Sequence, residues 1–326
     1  MSQLVTIYGG SGFVGRYIAR RLAKQGYRVR VAVRRPNEAL FVKPYGAVGQ
    51  VEPVLCNIRN EASVAAVMEG ADAVVNCVGT FEKRGKNNFD AVQHEGAERI
   101  ARIAAEKGVS KMVHISAIGA DLGSDCVYSQ TKAMGEEGIL ASMTNAVILR
   151  PSVIFGMEDD FFNRFGAMAS ISPIIPLFGG ATNFQPVYVD DVAAAAVKGV
   201  TGEAVPGIYE LGGPDQETFT GLMNLMLDVV QRRRLVLNLP LFAGRIMGAL
   251  GDLANMISFG LLPTPITLDQ ARSLAKDNVV TGVFPGLSDL GIQPTAMKAI
   301  LPDYLWRFRP SGQYAEIKDS AKNLKA

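Results

Sequence analysis

Leu4-Val5-Thr6-Ile7-Tyr8-Gly9-Gly10-Ser11-Gly12-Phe13-Val14-Gly15 is the stretch that decides the fold. A short apolar, β-branched run meets glycines at 9, 12 and 15. Tyr17, Ile18, Leu22 and Ala23 then recur at helical spacing up to Gly26, and Val29, Val31 and Val33 alternate as a second strand. Strand, glycine turn, helix and strand form one βαβ unit, so the two strands run parallel. The pattern continues outward. Val51 to Leu55 reads as a strand and Glu61 to Met68 as a helix, and Ala73 to Val78 reads as a buried strand. Phe89, Val92, Gly96, Ile100 and Ala104 mark one face of a long helix. Lys111 to Ser116 and Ala146 to Leu149 are further strands. The expectation is an α/β fold: a doubly wound parallel Rossmann sheet over residues 1–150. Beyond it, a smaller mixed lobe over 151–310 returns some strands to that sheet, and 311–326 is a polar tail.

The glycines carry a physical requirement. The chain must turn tightly and let a diphosphate approach the backbone, and the N–H groups opening the next helix, from Phe13 and Val14 onward, face the anion. The end of the second strand selects the nucleotide, because a ribose 2′-OH is met by a carboxylate and a 2′-phosphate by arginine. Here stand Arg34 and Arg35, with Arg16 directly after the last glycine. Residues 1–37 hold eight Arg and Lys and no Asp or Glu. The reading is NADP(H) over NAD(H); the competing reading is a solvated basic face.

Composition bounds the rest. Hydrophobic residues make up 48% and charged residues 20% of 326 residues, which excludes a disordered chain. With 33 Lys and Arg against 31 Asp and Glu, the net charge of +2 argues against nucleic acid held by bulk charge. Cys56, Cys77 and Cys126 form no C-x-x-C pair, and His94 and His114 stand apart from them, so neither a disulfide framework nor a metal site is expected. No signal peptide and no spanning apolar run is read.

Several motifs resemble the short-chain dehydrogenase/reductase superfamily in its extended or atypical branch. Asn76-Cys77-Val78-Gly79 is similar to its N-x-x-G, and Val113-His114-Ile115-Ser116 to its serine strand. Arg150-Pro151 through Phe155-Gly156, and Pro186-Val187-Tyr188-Val189-Asp190-Asp191-Val192-Ala193, resemble its later motifs. The resemblance implies nucleotide contacts from Val78, Gly79 and Pro151, and from Asn57, where the family usually carries Asp. It also implies a catalytic set. Tyr128 and Lys132 match Y-x-x-x-K, the tyrosine trading a proton with a substrate oxygen while Lys⁺ favours the phenolate, and Ser116 bonds the substrate carbonyl. Tyr314 and Lys318 fit the same spacing, but only Tyr128 follows the serine strand.

A narrower resemblance is to the nucleotide-binding accessory subunits of respiratory complex I, the NADH:ubiquinone oxidoreductase, in their α-proteobacterial form. It rests on Glu158 to Phe165, the Pro173 to Gln185 loop, Leu287 to Ile292, and Tyr304 to Pro310. This implies NADPH held as a structural cofactor and other complex I subunits as partners. It also implies a peripheral position on the cytoplasmic side of the bacterial inner membrane, near the junction of the two arms.

Within 237–262, Phe242, Ile246, Leu250, Leu253 and Ile257 repeat at helical spacing, and Arg245, Asp252 and Asn255 interrupt the apolar face. That pattern argues against a membrane span and for a helix facing lipid or a partner; the competing reading is a core helix. Arg232, Arg233 and Arg234 just upstream could meet anionic headgroups or an acidic partner. Two functions remain open at the sequence level. One is a non-catalytic NADPH-binding accessory subunit; the other is a free NADP-dependent reductase, epimerase or dehydratase using Ser116, Tyr128 and Lys132.

Overall fold

The computed structural model describes residues 2–80, 85, 87–257 and 267–314. Residues 258–262 of the apolar stretch, and the tail beyond 314 with Lys318, lie outside them, as do the side chains of Leu250, Asp252, Leu253, Asn255 and Ile257.

The chain divides into two units. The first comprises residues 1–152, 189–212 and 280–294. Its strands are β1 (Leu4–Tyr8), β2 (Arg28–Val33), β3 (Val51–Leu55), β4 (Ala73–Asn76), β5 (Lys111–Ile115) and β6 (Val147–Pro151). A seventh, Gly207–Leu211, returns to pair with β6 from Gly207 opposite Val147 to Leu211 opposite Pro151. All pairings are parallel, in the order 207–211, β6, β5, β4, β1, β2, β3. The first unit is therefore not contiguous in sequence: the chain leaves after Ser152 and re-enters twice.

Parallel strands are buried on both faces, which is why β1 and β4 are mostly apolar, with Thr6 and Asn76 the polar exceptions. Both are buried at every position. Helix α1 (Phe13–Lys24) covers one face beside the Val189–Thr201 helix, and Arg21 clamps Asp190 through two 2.7 Å bonds. The other face carries α2 (Glu61–Met68), α3 (Glu95–Glu106) and α4 (Val127–Ser142). There Tyr8, Val64, Val67, Ile100, Ile103, Met112 and Ile139 form one core cluster. Each large side chain so buried contributes about 1.5–3 kcal/mol.

The second unit comprises residues 153–188, 213–279 and 295–326. Helices Phe161–Ile171, Phe219–Val229 and Met297–Leu305 pack around the rings of Phe155, Phe161, Phe162, Phe184 and Phe219. Asp159 ties this unit to its last helix. Its buried carboxylate accepts the Gly156 and Asn163 amides and the Tyr304 hydroxyl. Strands Ile174–Phe178 and Leu235–Leu239 pair in parallel ahead of the Leu241–Ile257 helix. A Cβ on Gly244 would stand 2.9 Å from the Phe178 ring, and one on Gly248 2.6 Å from the Leu268 backbone. These glycines let the helix lie close against its own unit, which turns Phe242, Arg245, Ile246 and Met247 outward.

Candidate nucleotide site at the carboxyl edge of the sheet

In a doubly wound sheet, ligands bind outside the carboxyl ends of the strands, where the strand order reverses. Here that point lies between β1 and β4, which pair directly. The residues singled out from sequence fall along this one edge. Gly9 follows β1, Arg34 and Arg35 follow β2, Asn57 follows β3, Val78 and Gly79 follow β4, Ser116 follows β5, and Pro151 ends β6.

The glycine turn has the required geometry. Gly9 has φ +75°, a region that favours glycine. A Cβ on Gly15 would stand 2.4 Å from the Gly9 carbonyl oxygen and 2.7 Å from Gly10 Cα, so only glycine lets α1 press against the turn. Gly12 caps α1 without a side-chain hydrogen bond, and the first turn holds no acid. The Phe13 and Val14 end of the helix is thus left to attract an anion.

Arg16 is held over this turn by bonds to the carbonyls of Gly12 (3.2 Å) and Ser11 (3.0 Å), and its guanidinium lies 4.7 Å from the Phe41 ring centre. Phe41 belongs to a helical segment, Pro36–Tyr45, that the sequence reading left without structure. Arg35 pairs with Glu38 at 3.0 Å, with both side chains largely exposed. Arg34 is exposed. Asn57 closes its own turn, accepting the Arg59 amide at 3.2 Å. The Asn76 amide oxygen accepts the Val78 N–H at 3.0 Å and so shapes the loop to Gly79.

Of the candidate catalytic groups, Ser116 follows β5, and Tyr128 and Lys132 lie one turn apart on α4. Lys132 is 4% exposed and donates to the Ile115 carbonyl at 3.0 Å; a Cβ on Gly79 would be 3.8 Å from its Nζ. Burial lowers its pKa to about 8, against the pull of Glu136 and Cys77. Burial pushes the Cys77 thiol up to about 12. Burial also raises the Tyr128 phenol, with a further rise from Cys126, and its ring packs edge-on against Phe89 with centroids 6.0 Å apart. Ser116 does not point its hydroxyl proton at open space. It donates to Glu136, whose carboxylate is gripped by Arg150 at 2.9 and 2.5 Å. Sequence reading missed this buried pair, because a Glu four residues after Lys132 on a helix reads as a solvated i,i+4 partner.

The family model described as "NAD dependent epimerase/dehydratase family" matches residues 5–212. The chain belongs to that family. Among its relatives is the NADH dehydrogenase [ubiquinone] 1 alpha subcomplex subunit 9 of Arabidopsis thaliana mitochondria. The two are 34% identical over 317 residues, covering 95% of this chain and 79% of the relative. A ceramide reductase of Caulobacter vibrioides is 29% identical over 265 residues, covering 79% and 82%. Among solved structures, the dTDP-glucose 4,6-dehydratase DesIV of Streptomyces venezuelae superimposes with a TM-score of 0.70 at 20% identity, over 99% of this chain and 100% of that one. Among the described residues, no helix is long and apolar enough to cross a membrane and no group of His, Cys, Asp and Glu could hold a metal ion.

Proposed function

We propose that this chain is an NADPH-holding accessory subunit of a respiratory complex I, bound to other subunits of that assembly. One observation carries the reading. The family model ends at residue 212, whereas similarity to the plant complex I subunit runs over 95% of the chain, including most of the second unit. The likeness to the plant subunit, 34% identity, thus covers the second unit as well as the nucleotide-binding half.

The state of the candidate catalytic set agrees with a holding role. A tyrosine acting as an acid or base near neutrality needs its pKa lowered. Tyr128 is shifted the other way, Lys132 donates to a backbone carbonyl, and the Ser116 proton goes to Glu136. For the nucleotide, NADPH is supported by Arg34 and Arg35 directly after β2, the end of the strand that selects between a ribose hydroxyl and a 2′-phosphate. The exposed Arg35–Glu38 pair is worth under about 1 kcal/mol, so a phosphate can displace it.

The second unit supports peripheral contact with the cytoplasmic side of the inner membrane near the arm junction. Leu235 pairs with Ile174 and Leu237 with Pro176, and all four are exposed. Phe242 (66% exposed) and Ile246 (57%) add further exposed apolar side chains on the Leu241–Ile257 helix. Residues 229–251 contain four arginines and no Asp or Glu, a charge pattern suited to anionic headgroups.

The Caulobacter relative favours the second reading, an NADP-dependent reductase working through Tyr128 and Lys132. Substituting Tyr128→Phe separates the two. An accessory subunit keeps its nucleotide and its assembly. A reductase loses turnover of its carbonyl substrate by about 10²–10⁴-fold, and that result would refute the holding role.

A further inference from the structure

Asn76 ends β4 and His114 lies directly opposite it on β5, so the two side chains stand together on one face of the sheet. Each is 1% exposed. Asn76 Nδ2 and both ring nitrogens of His114 are buried without a hydrogen-bond partner among the described residues. Unpaired buried polar atoms are rare in folded proteins, and three on two adjacent residues form a site rather than an accident. The walls are set by the register: Tyr8 flanks Asn76, and Ile148 flanks His114. Met112 shares the His114 face and packs in the cluster with Ile100, Ile103 and Ile139, which puts the pair beneath α3 and α4. Lys132 of α4 reaches the same level, since it bonds the carbonyl of Ile115, next to His114.

The donor and acceptor inventory decides the ligand. The Asn76 amide is oriented by its oxygen, which accepts the Val78 N–H, so its NH₂ offers donors only. Burial, reinforced by Lys132, holds His114 well below its usual pKa, so the imidazole is neutral, with one N–H and one lone pair. The occupant must therefore accept from Asn76 and also exchange a bond of either sense with His114. A bare anion would leave the imidazole lone pair unpaired, and a metal cation cannot accept from the Asn76 amide. Water does both, and buried waters commonly make about three such bonds.

We infer that Asn76 and His114 build a buried water site beneath Lys132, and that His114 acts as a positioning residue for the lysine ammonium through that water. The titratable and charged groups around Lys132 are Cys77 beside β4, His114 on β5 and Glu136 one turn along α4. Cys77 stays protonated below about 12, and the Glu136 carboxylate is held by Arg150.

Two measurements on the full chain test this. The first is a crystal structure at a resolution that shows waters. It is expected to place a water within hydrogen-bond distance of Asn76 Nδ2 and a ring nitrogen of His114. Direct protein partners for both, or a dry gap between them, overturn the site. The second is ¹³C NMR titration of lysine labelled at the ε-carbon, assigned with Lys132→Met. In His114→Phe the apolar ring excludes the water and disfavours the ammonium, so the Lys132 midpoint falls by about half a unit or more, while His94→Phe leaves it in place. An unchanged midpoint in folded His114→Phe overturns the positioning role. If that variant does not fold, the crystal structure of the unsubstituted chain still decides the site.

Discussion

Arg34 is exposed at the end of β2, while its neighbour Arg35 is engaged only with an exposed glutamate. A guanidinium meeting a 2′-phosphate makes charge-assisted bonds worth about 1.5–3 kcal/mol. Arg34→Ala should therefore weaken NADPH binding by about 10–100-fold and leave NADH unaffected, which parallel fluorescence titrations would read. Equal losses for both cofactors would contradict the assignment. Lys132 supplies a second prediction at this scale. Its folded pKa of about 8 lies below the usual 10.5, so between those values the unfolded chain binds more protons than the folded one. Stability then rises with pH across that window. Denaturant unfolding at pH 7.5 and pH 10 should shift in favour of the unsubstituted chain over Lys132→Met as pH rises; a shift the other way would mean that the fold stabilises the ammonium and raises its pKa.

Among the elements, the apolar strands and the glycine turn were legible because parallel strands buried on both faces must be β-branched and apolar, and because a helix pressed on a turn admits only glycine at Gly15. The Pro36–Tyr45 segment was not legible, since its prolines and mixed polarity give no period. Nor was the Glu136–Arg150 pair, since only tertiary packing decides whether a helical carboxylate meets water or a buried guanidinium. The helix beginning at Leu241 was legible as amphipathic, but its outward face was not, because Gly244 and Gly248 matter only once Phe178 and Leu268 are known to lie against them. That face yields a prediction. Replacing Phe242 and Ile246 together by Ser removes apolar surface worth about 1.5–3 kcal/mol per side chain when buried. Co-sedimentation with anionic vesicles should fall by more than about tenfold. Arg233→Glu should reduce binding to anionic vesicles and leave neutral ones unchanged. Unaltered binding in the double variant would rule this face out as the lipid contact.

For the molecule as a whole, the return of strand 207–211 to β6 shows why the boundary between the lobes was hard to read. A parallel partner more than fifty residues away leaves no local signal in the chain. The separation of roles is clearer. The first unit carries the nucleotide edge common to the epimerase/dehydratase family, and the second carries the exposed apolar and basic surface. The most direct test of the accessory-subunit reading is to tag the chain, solubilise membranes in mild detergent, and identify both the partners that co-purify and the nucleotide released on denaturation. The expected result is migration with a large NADH-oxidising, quinone-reducing assembly that releases NADPH. A lone chain that exchanges NADP(H) freely and turns it over with a carbonyl substrate would contradict it.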